Sequence, residues 1–245
     1  MSEDIKIIRL HETDSTNLFM HVYNGDEGNM MTVAVAQSQT AGRGQGVNTW
    51  ESQPGKNLLF SVKLYPKALV ASRQYVMLEA GALAVCGTLR RYAGGMTVKW
   101  PNDVYWNDSK ISGTLSECTI KHGMVGSCII GTGININQKK FVSDAPNPVS
   151  LLQITGRETR LEYVLDGFLK KFREYVKMVD DGEYGKVHDL YRKYLYRREG
   201  TYRFTDDGGT FLAEISDVEP GGHIVLRLED GTLRKYAFKE VAFEI

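Results

Sequence analysis

The sequence predicts an α+β protein: a mixed, largely antiparallel sheet with helices on one side, followed by a small C-terminal β-barrel. Three observations predict it. Residues 96–136 alternate strand-like runs with tight turns, so hairpins and antiparallel pairing dominate. Helix-like stretches do not alternate regularly with strands, which argues against a doubly wound fold. From Glu199 onward, short strands are punctuated by Asp206-Asp207-Gly208-Gly209, Pro220-Gly221-Gly222 and Asp230-Gly231, the texture of a small barrel.

The elements follow in order. Residues 5–11 (IKIIRLH) read as a strand, and Asp14 or Ser15 can cap a helix through Leu18, Phe19 and Val22. Residues 31–37 read as a strand, Ser38 to Lys56 as a long polar loop, and 57–64 as an alternating strand. A helix is expected over 72–92, its buried stripe drawn from Val76, Leu78, Ala82, Leu83, Val85 and Leu89, with Gly94-Gly95 ending it. Strands near 96–100, 103–106, 110–120 and 124–136 come next, with turns at Asn107-Asp108 and Lys121-His122-Gly123. Two further helices are expected over 159–180 and 184–196. The change of texture divides the chain into residues 1–196 and 197–245.

Composition excludes several classes. Lys+Arg and Asp+Glu both number 30, so no basic excess points to nucleic acid. Cys86, Cys118 and Cys128 are odd in number and form no CxxC pair, so they read as buried, reduced thiols rather than a disulfide framework or zinc site. No stretch approaches the ~20 apolar residues of a membrane span. The N-terminus shows no signal-peptide pattern, and a cytoplasmic protein is expected. Walker, GxGxxG, GxSxG and HExxH motifs are absent, and the five histidines are too scattered to bind a metal.

Chemistry-bearing residues gather in a few polar segments. Asp14-Ser15-Thr16-Asn17 suits a helix cap, or hydroxyls and an amide facing a ligand. In Gln39-Thr40-Ala41-Gly42-Arg43-Gly44-Gln45-Gly46, glycines let backbone N–H groups approach an anion, and Arg43 adds a charge for phosphate or carboxylate. Trp50, in the same polar loop, needs something to stack on. Lys99-Trp100-Pro101-Asn102-Asp103 and Lys110-Ile111-Ser112-Gly113 bracket a hairpin with two lysines, an asparagine and an aspartate, groups suited to phosphate, Mg²⁺ or an amine. Gly131-Thr132-Gly133-Ile134-Asn135 is a strand whose glycines allow close approach.

In this order the segments DSTN (14–17), QTAGRGQG (39–46) with Trp50, KWPND (99–103), KISG (110–113) and GTGIN (131–135) resemble biotin–protein ligase, also called biotin–[acetyl-CoA-carboxylase] ligase. The resemblance is strong over residues 5–136 and architectural beyond them. It implies a class II synthetase-like catalytic domain with an SH3-like barrel. It also implies two-step chemistry. The carboxylate of biotin attacks the α-phosphate of ATP, giving biotinyl-5′-AMP and pyrophosphate; a lysine amine of a biotin carboxyl carrier domain then attacks the acyl carbon and AMP leaves.

The same resemblance distributes roles. Lys110 belongs at the reacting carboxylate–phosphate centre, and Arg43 with Gly42, Gly44 and Gln45 holds biotin and the adenylate. Ser15, Thr16 and Gln39 match positions that bind the ureido ring, with Asn17 beside them. The tail of biotin lies along Gly113, Gly131 and Gly133, with Leu115 as a wall. Trp50 and Asn135 match positions that stack on and hydrogen-bond adenine, and Asn102 joins the ATP side. Asp103 could orient or deprotonate the incoming lysine. Mg²⁺ accompanies ATP, and no protein metal site is expected.

Two departures stand out. Gln45 sits where many family members carry a second arginine, so one charge on the adenylate is missing or is supplied elsewhere. The chain begins a few residues before the first catalytic strand, so the DNA-binding helix-turn-helix of some relatives is not expected. The open sheet edge could take a second subunit or the acceptor. Two rival readings are a lipoate or octanoate ligase or transferase of similar fold, and a non-catalytic biotin-binding regulator.

Overall fold

A computed structural model describes residues 5–25, 28, 30–44, 46, 49–142 and 147–245. Seven strands form the main sheet: β1 (Ile5–Thr13), β2 (Met31–Gln39), β3 (Leu58–Leu64), β4 (Met96–Lys99), β5 (Asp103–Trp106), β6 (Ser109–Lys121) and β7 (Met124–Ile134). Their order is β1-β2-β3-β7-β6-β5-β4. The β1–β2 pair is parallel and the others are antiparallel, the mixed and largely antiparallel sheet expected. The two predicted hairpin turns are present: Asn107 (φ 50°), His122 (φ 50°) and Gly123 (φ 78°) adopt the left-handed conformation that short hairpin turns require.

Helix α1 (Thr16–Val22) links β1 to β2, and its Met20 packs with Ala34 and Ile129 on one face of the sheet. The other face carries α2 (Tyr75–Leu89). Here the structure corrects one expectation, since α2 buries 13 of its 15 residues rather than one stripe. The cause is a second cover: α4 (Leu161–Asp180), which itself reaches the sheet, and α5 (Tyr184–Lys193) pack against α2. Small residues allow the sandwich. A Cβ on Gly81 would stand 2.9 Å from Ile130 and 3.0 Å from Thr114, so α2 rests almost directly on β6 and β7. Phe168 of α4 meets Phe60 of β3 edge to face at 4.7 Å, a contact worth about 0.5–1.5 kcal/mol beyond its burial. Helix α2 also ends at Leu89, ahead of Gly94-Gly95, and the chain turns through Gly95 (φ 78°) into β4.

A short α3 (Leu151–Thr155) was not expected. Its signal was readable, because Ser150 and Gln153 form a reciprocal capping box. Strands β8 (Tyr202–Asp206), β9 (Gly209–Val218), β10 (Ile224–Leu228), β11 (Leu233–Tyr236) and β12 (Ala242–Phe243) make a second, antiparallel sheet in the order β11-β10-β9-β8-β12. No helix among the described residues is long and apolar enough to cross a membrane.

Candidate active site

The five polar segments converge on one cavity of about 140 Å³. Its floor is the β6–β7 pair. Gly113 faces Gly133 in register and Leu115 faces Gly131, so three side chains are missing along one stretch of floor. A Cβ on Gly131 would fall 1.9 Å from Asn17 Oδ1, and one on Gly133 would fall 2.4 Å from the Trp50 ring.

The start of α1 forms a polar corner. Ser15 occupies the N-cap position, yet its hydroxyl makes no capping bond, and Asp14 instead accepts from the Ser15 N–H at 2.6 Å. The expected side-chain cap is therefore not made, and the buried Ser15 side chain lines the cavity. Gln39 Oε1 accepts from the Thr16 N–H at 2.8 Å and from its hydroxyl at 3.0 Å. Ser61, fully buried on β3, places its hydroxyl 2.7 Å from Thr16 Oγ1 and 2.5 Å from Asn17 Oδ1. Asn17 Nδ2 donates to Glu117 Oε2 at 2.6 Å. Both sides of Asn17 are thus fixed by the protein.

Three cations line the cavity, and two of them stand beside a carboxylate. Lys110 Nζ lies 2.7 Å from Asp103 Oδ2, across the β5–β6 hairpin and beside a bulge at Val104/Tyr105. Arg43 lies 3.5 Å from Glu117, which also faces His21 at 3.3 Å. The Arg43 loop is tied down at its ends: Thr40 and Ala41 donate to the carbonyls of Thr13 and Asp14, Trp50 donates to Gly42, and Arg43 bridges to Thr49. A third cation, Lys99, lies 5.3 Å from the centre of the Tyr105 ring and 4.8 Å from that of Phe243. Burial holds its ammonium below the ordinary lysine value; Lys110 and Arg197 add to this and Asp103 opposes it.

The turn between β4 and β5 is held from below. Tyr191 donates to the Pro101 carbonyl at 2.8 Å, and Tyr75 stands 3.1 Å from Tyr191 and 3.4 Å from the same carbonyl. Asn102 donates through Nδ2 to the Thr114 carbonyl, and Thr114 N–H returns a bond to Asn102 at 3.1 Å. Trp100 Nε1 donates to Gly222 at 2.9 Å, tying the second sheet to this turn. Phe238, also from the second-sheet region, lines the cavity and meets Trp100 at 6.2 Å.

Of the residues singled out in the sequence, Ser15, Thr16, Asn17, Gln39, Arg43, Gly44, Trp50, Asn102, Asp103, Lys110, Gly113, Leu115, Gly131 and Gly133 line this cavity, and so do Lys99, Trp100, Pro101 and Thr132 of the same segments. Gly42 and Asn135 are buried beside it without lining it, and Asn135 Oδ1 has no partner. Gln45 lies outside the described residues. Trp50 does stack, but on the strand: its ring covers Gly133 and approaches Gly113, and its Nε1 is buried without a partner. The indole therefore fills space along the floor, which helps explain a cavity well below the ~300 Å³ lower end for small-molecule sites. Ser61, Glu117 and Phe238 were missed. Glu117 had a signal, since strand alternation puts it on the face of Gly113 and Leu115. Among the described residues, no three His, Cys, Asp or Glu side chains gather as a metal site.

Residues 10–135 match the model of the Biotin/lipoate A/B protein ligase family. The chain is 31% identical over 224 residues to the bifunctional ligase/repressor BirA of Bacillus spizizenii, covering 87% of this chain and 66% of that protein. It is 28% identical over 193 residues to the biotin--[acetyl-CoA-carboxylase] ligase of Paracoccus denitrificans, covering 74% and 78%. Its fold resembles that of the biotin protein ligase from Aquifex aeolicus in complex with biotin and ATP, with a TM-score of 0.78, 26% identity and 98% of each chain covered.

Proposed function

The chain belongs to the biotin/lipoate A/B protein ligase family, and from that premise we propose that it activates biotin with ATP and transfers it to a lysine of a biotin carboxyl carrier domain. The observation that carries this reading is the cavity itself. One unbranched glycine floor is bordered by a fixed polar corner (Ser15, Thr16, Gln39) and by two cations, Arg43 and Lys110.

The first step brings a carboxylate against a phosphate. Two unit anions ~4 Å apart repel by roughly 4 kcal/mol at an effective dielectric of about 20. Lys110 offsets that repulsion at the reacting centre, and Arg43 serves the carboxylate and then the adenylate. The carboxylate oxygen bonds to the α-phosphorus and pyrophosphate leaves. Thr16 and Gln39 present preset hydrogen-bonding groups to the ureido ring, and Gly113, Gly131 and Gly133 give the tail its room. Trp50 would have to lift from Gly133 for an adenine ring to enter beneath it, where the unpartnered Asn135 Oδ1 waits as an acceptor for its amine.

In the second step a lysine amine attacks the acyl carbon and AMP departs. Asp103, paired with Lys110 at 2.7 Å in this structure, would orient or deprotonate that amine once Lys110 has turned to the phosphate. Mg²⁺ would travel with ATP, and Asp103 is the carboxylate lining the cavity that could meet it. The reaction belongs in the cytoplasm, where ATP is supplied. Strand β1 is an edge of the main sheet and could pair with a second subunit or with the acceptor. The division into residues 1–196 and 197–245 remains part of this reading. Incubation with biotin, MgATP and a carrier domain should add one biotinyl mass to a single carrier lysine; a carrier left unmodified overturns it.

A further inference from the structure

We propose that Cys118 and Cys128 are a modification site, at which a peroxide converts the facing thiols into a reversible cross-strand disulfide. The three free thiols of the chain are placed very differently. Cys86 is buried within α2 with its Sγ 3.6 Å from the Met96 carbonyl, and burial pushes it up to about 12. Cys118 and Cys128 sit directly opposite each other on β6 and β7, with their sulfurs 2.7 Å apart. Facing residues of an antiparallel pair hold their Cβ atoms about 4.5–5.5 Å apart, close to the spacing a disulfide spans, so little backbone movement is needed.

Access and reactivity are divided between the two. Cys118 is only half-buried, whereas Cys128 is fully buried. The hydrogen bond from Cys128 holds the Cys118 thiol below its ordinary value, with Ser116 assisting and burial opposing. Burial and the neighbouring sulfur push Cys128 up. Cys118 is therefore the attacking thiolate and Cys128 the resolving thiol. The Cys118 thiolate attacks one oxygen of hydrogen peroxide, the O–O bond breaks, and a sulfenic acid and hydroxide result. Cys128 gives its proton to that hydroxide, attacks the sulfenic sulfur, and expels a second hydroxide. That ion takes up the proton first lost by Cys118. Two thiols and one peroxide thus become one disulfide and two waters. Ser116 Oγ, 3.4 Å from Cys128 Sγ and 3.8 Å from Cys118 Sγ, stands within reach of both sulfurs.

The bond would staple the hairpin just beyond the cavity floor. Cys118 follows Glu117 and alternates with it, so the sulfurs lie on the helix-covered face and Glu117 on the cavity face. The inference does not rest on the proposed ligase activity. It is tested by treating the intact protein with hydrogen peroxide, alkylating the remaining thiols under denaturing conditions, and measuring intact mass and peptides. The expected result is loss of two hydrogen atoms, a Cys118–Cys128 cross-linked peptide, alkylation at Cys86 alone, and full reversal by dithiothreitol. C86S should keep the cross-link, and C118S and C128S should each lose it. Cys118 recovered as a sulfinic acid or an alkylated thiol without a cross-link, or a cross-link that includes Cys86, would overturn the proposal.

Discussion

Lys110 and Arg43 bring the same charge to the same cavity, but the chain holds them in opposite ways. Lys110 stands on a 13-residue strand, 28% exposed, and grips Asp103 at 2.7 Å across a hairpin. Arg43 stands on a loop, 40% exposed, and meets Glu117 at a looser 3.5 Å. The strand is fixed by two neighbours, β5 and β7, and by Tyr191 and Tyr75 beneath the adjoining turn. Among the described residues, the loop is held by Thr40, Ala41 and Trp50. A cation on a rigid element is placed before substrate arrives, whereas a cation on a loop can follow the ligand from one state to the next. In the proposed reaction, Lys110 would therefore serve the transition state of the first step, and Arg43 would serve retention of its product.

The largest effect should come from Lys110→Met. Loss of a preorganised charge at the reacting centre predicts a fall of roughly 10²–10³-fold in the rate of adenylate formation, read by single-turnover release of pyrophosphate, with the thermal midpoint unchanged. An equal loss in Arg43→Met would erase the distinction between strand and loop. Next comes the floor. Gly131→Ala puts a methyl group into Asn17 and should raise the KM for biotin roughly 10–200-fold, with little change in the rate at saturation. For Arg43→Ala the expected change is about 10-fold or somewhat more, and it should fall on the rate at which biotinyl-AMP leaves, followed by trapping the released adenylate. Unchanged release would mean that the loop cation does not hold the intermediate.

The smallest effect concerns the support under the hairpin. His188 of α5 lies 2.6 Å from Glu79 of α2, about one turn along from the Tyr75–Tyr191 pair. The Glu79 hydrogen bond raises His188 above its ordinary 6.5, and Asp217 adds to this while partial burial and Arg192 oppose it. Burial raises Glu79 as well, against the pull of His188. Both groups hold protons more tightly in the folded chain. Their contribution is therefore present at low pH and is lost as pH rises through the folded values. The Glu79 part of that loss begins above about pH 4.5 and the His188 part above about pH 6.5, so the thermal midpoint should decline over that range, and His188→Gln should flatten the decline above about pH 6.5; parallel curves for the two proteins would refute it.

Much of this was legible in the chain. Hairpin turns declare themselves locally, so Asn107 and His122 were found with the strands they join. The polar segments were also legible, because each needs a specific residue type at a specific spacing. What escaped depends on distant partners. The all-round burial of α2 is set by α4 and α5, which begin at Leu161 and Tyr184, long after α2 ends at Leu89. Phe238 reaches the cavity from the second-sheet region, and nothing in its neighbours Ala237 and Lys239 announces a ligand. Trp50 was expected to stack, but its partner in this structure is Gly133, a contact that no local pattern encodes.

In the proposed function the glycine floor, the polar corner, Lys110 and Arg43 together activate biotin. Biotin-dependent exchange of labelled pyrophosphate into ATP tests it most directly. Exchange is expected with biotin and not with lipoate or octanoate. No exchange with biotin, or exchange that lipoate or octanoate supports equally well, would contradict it.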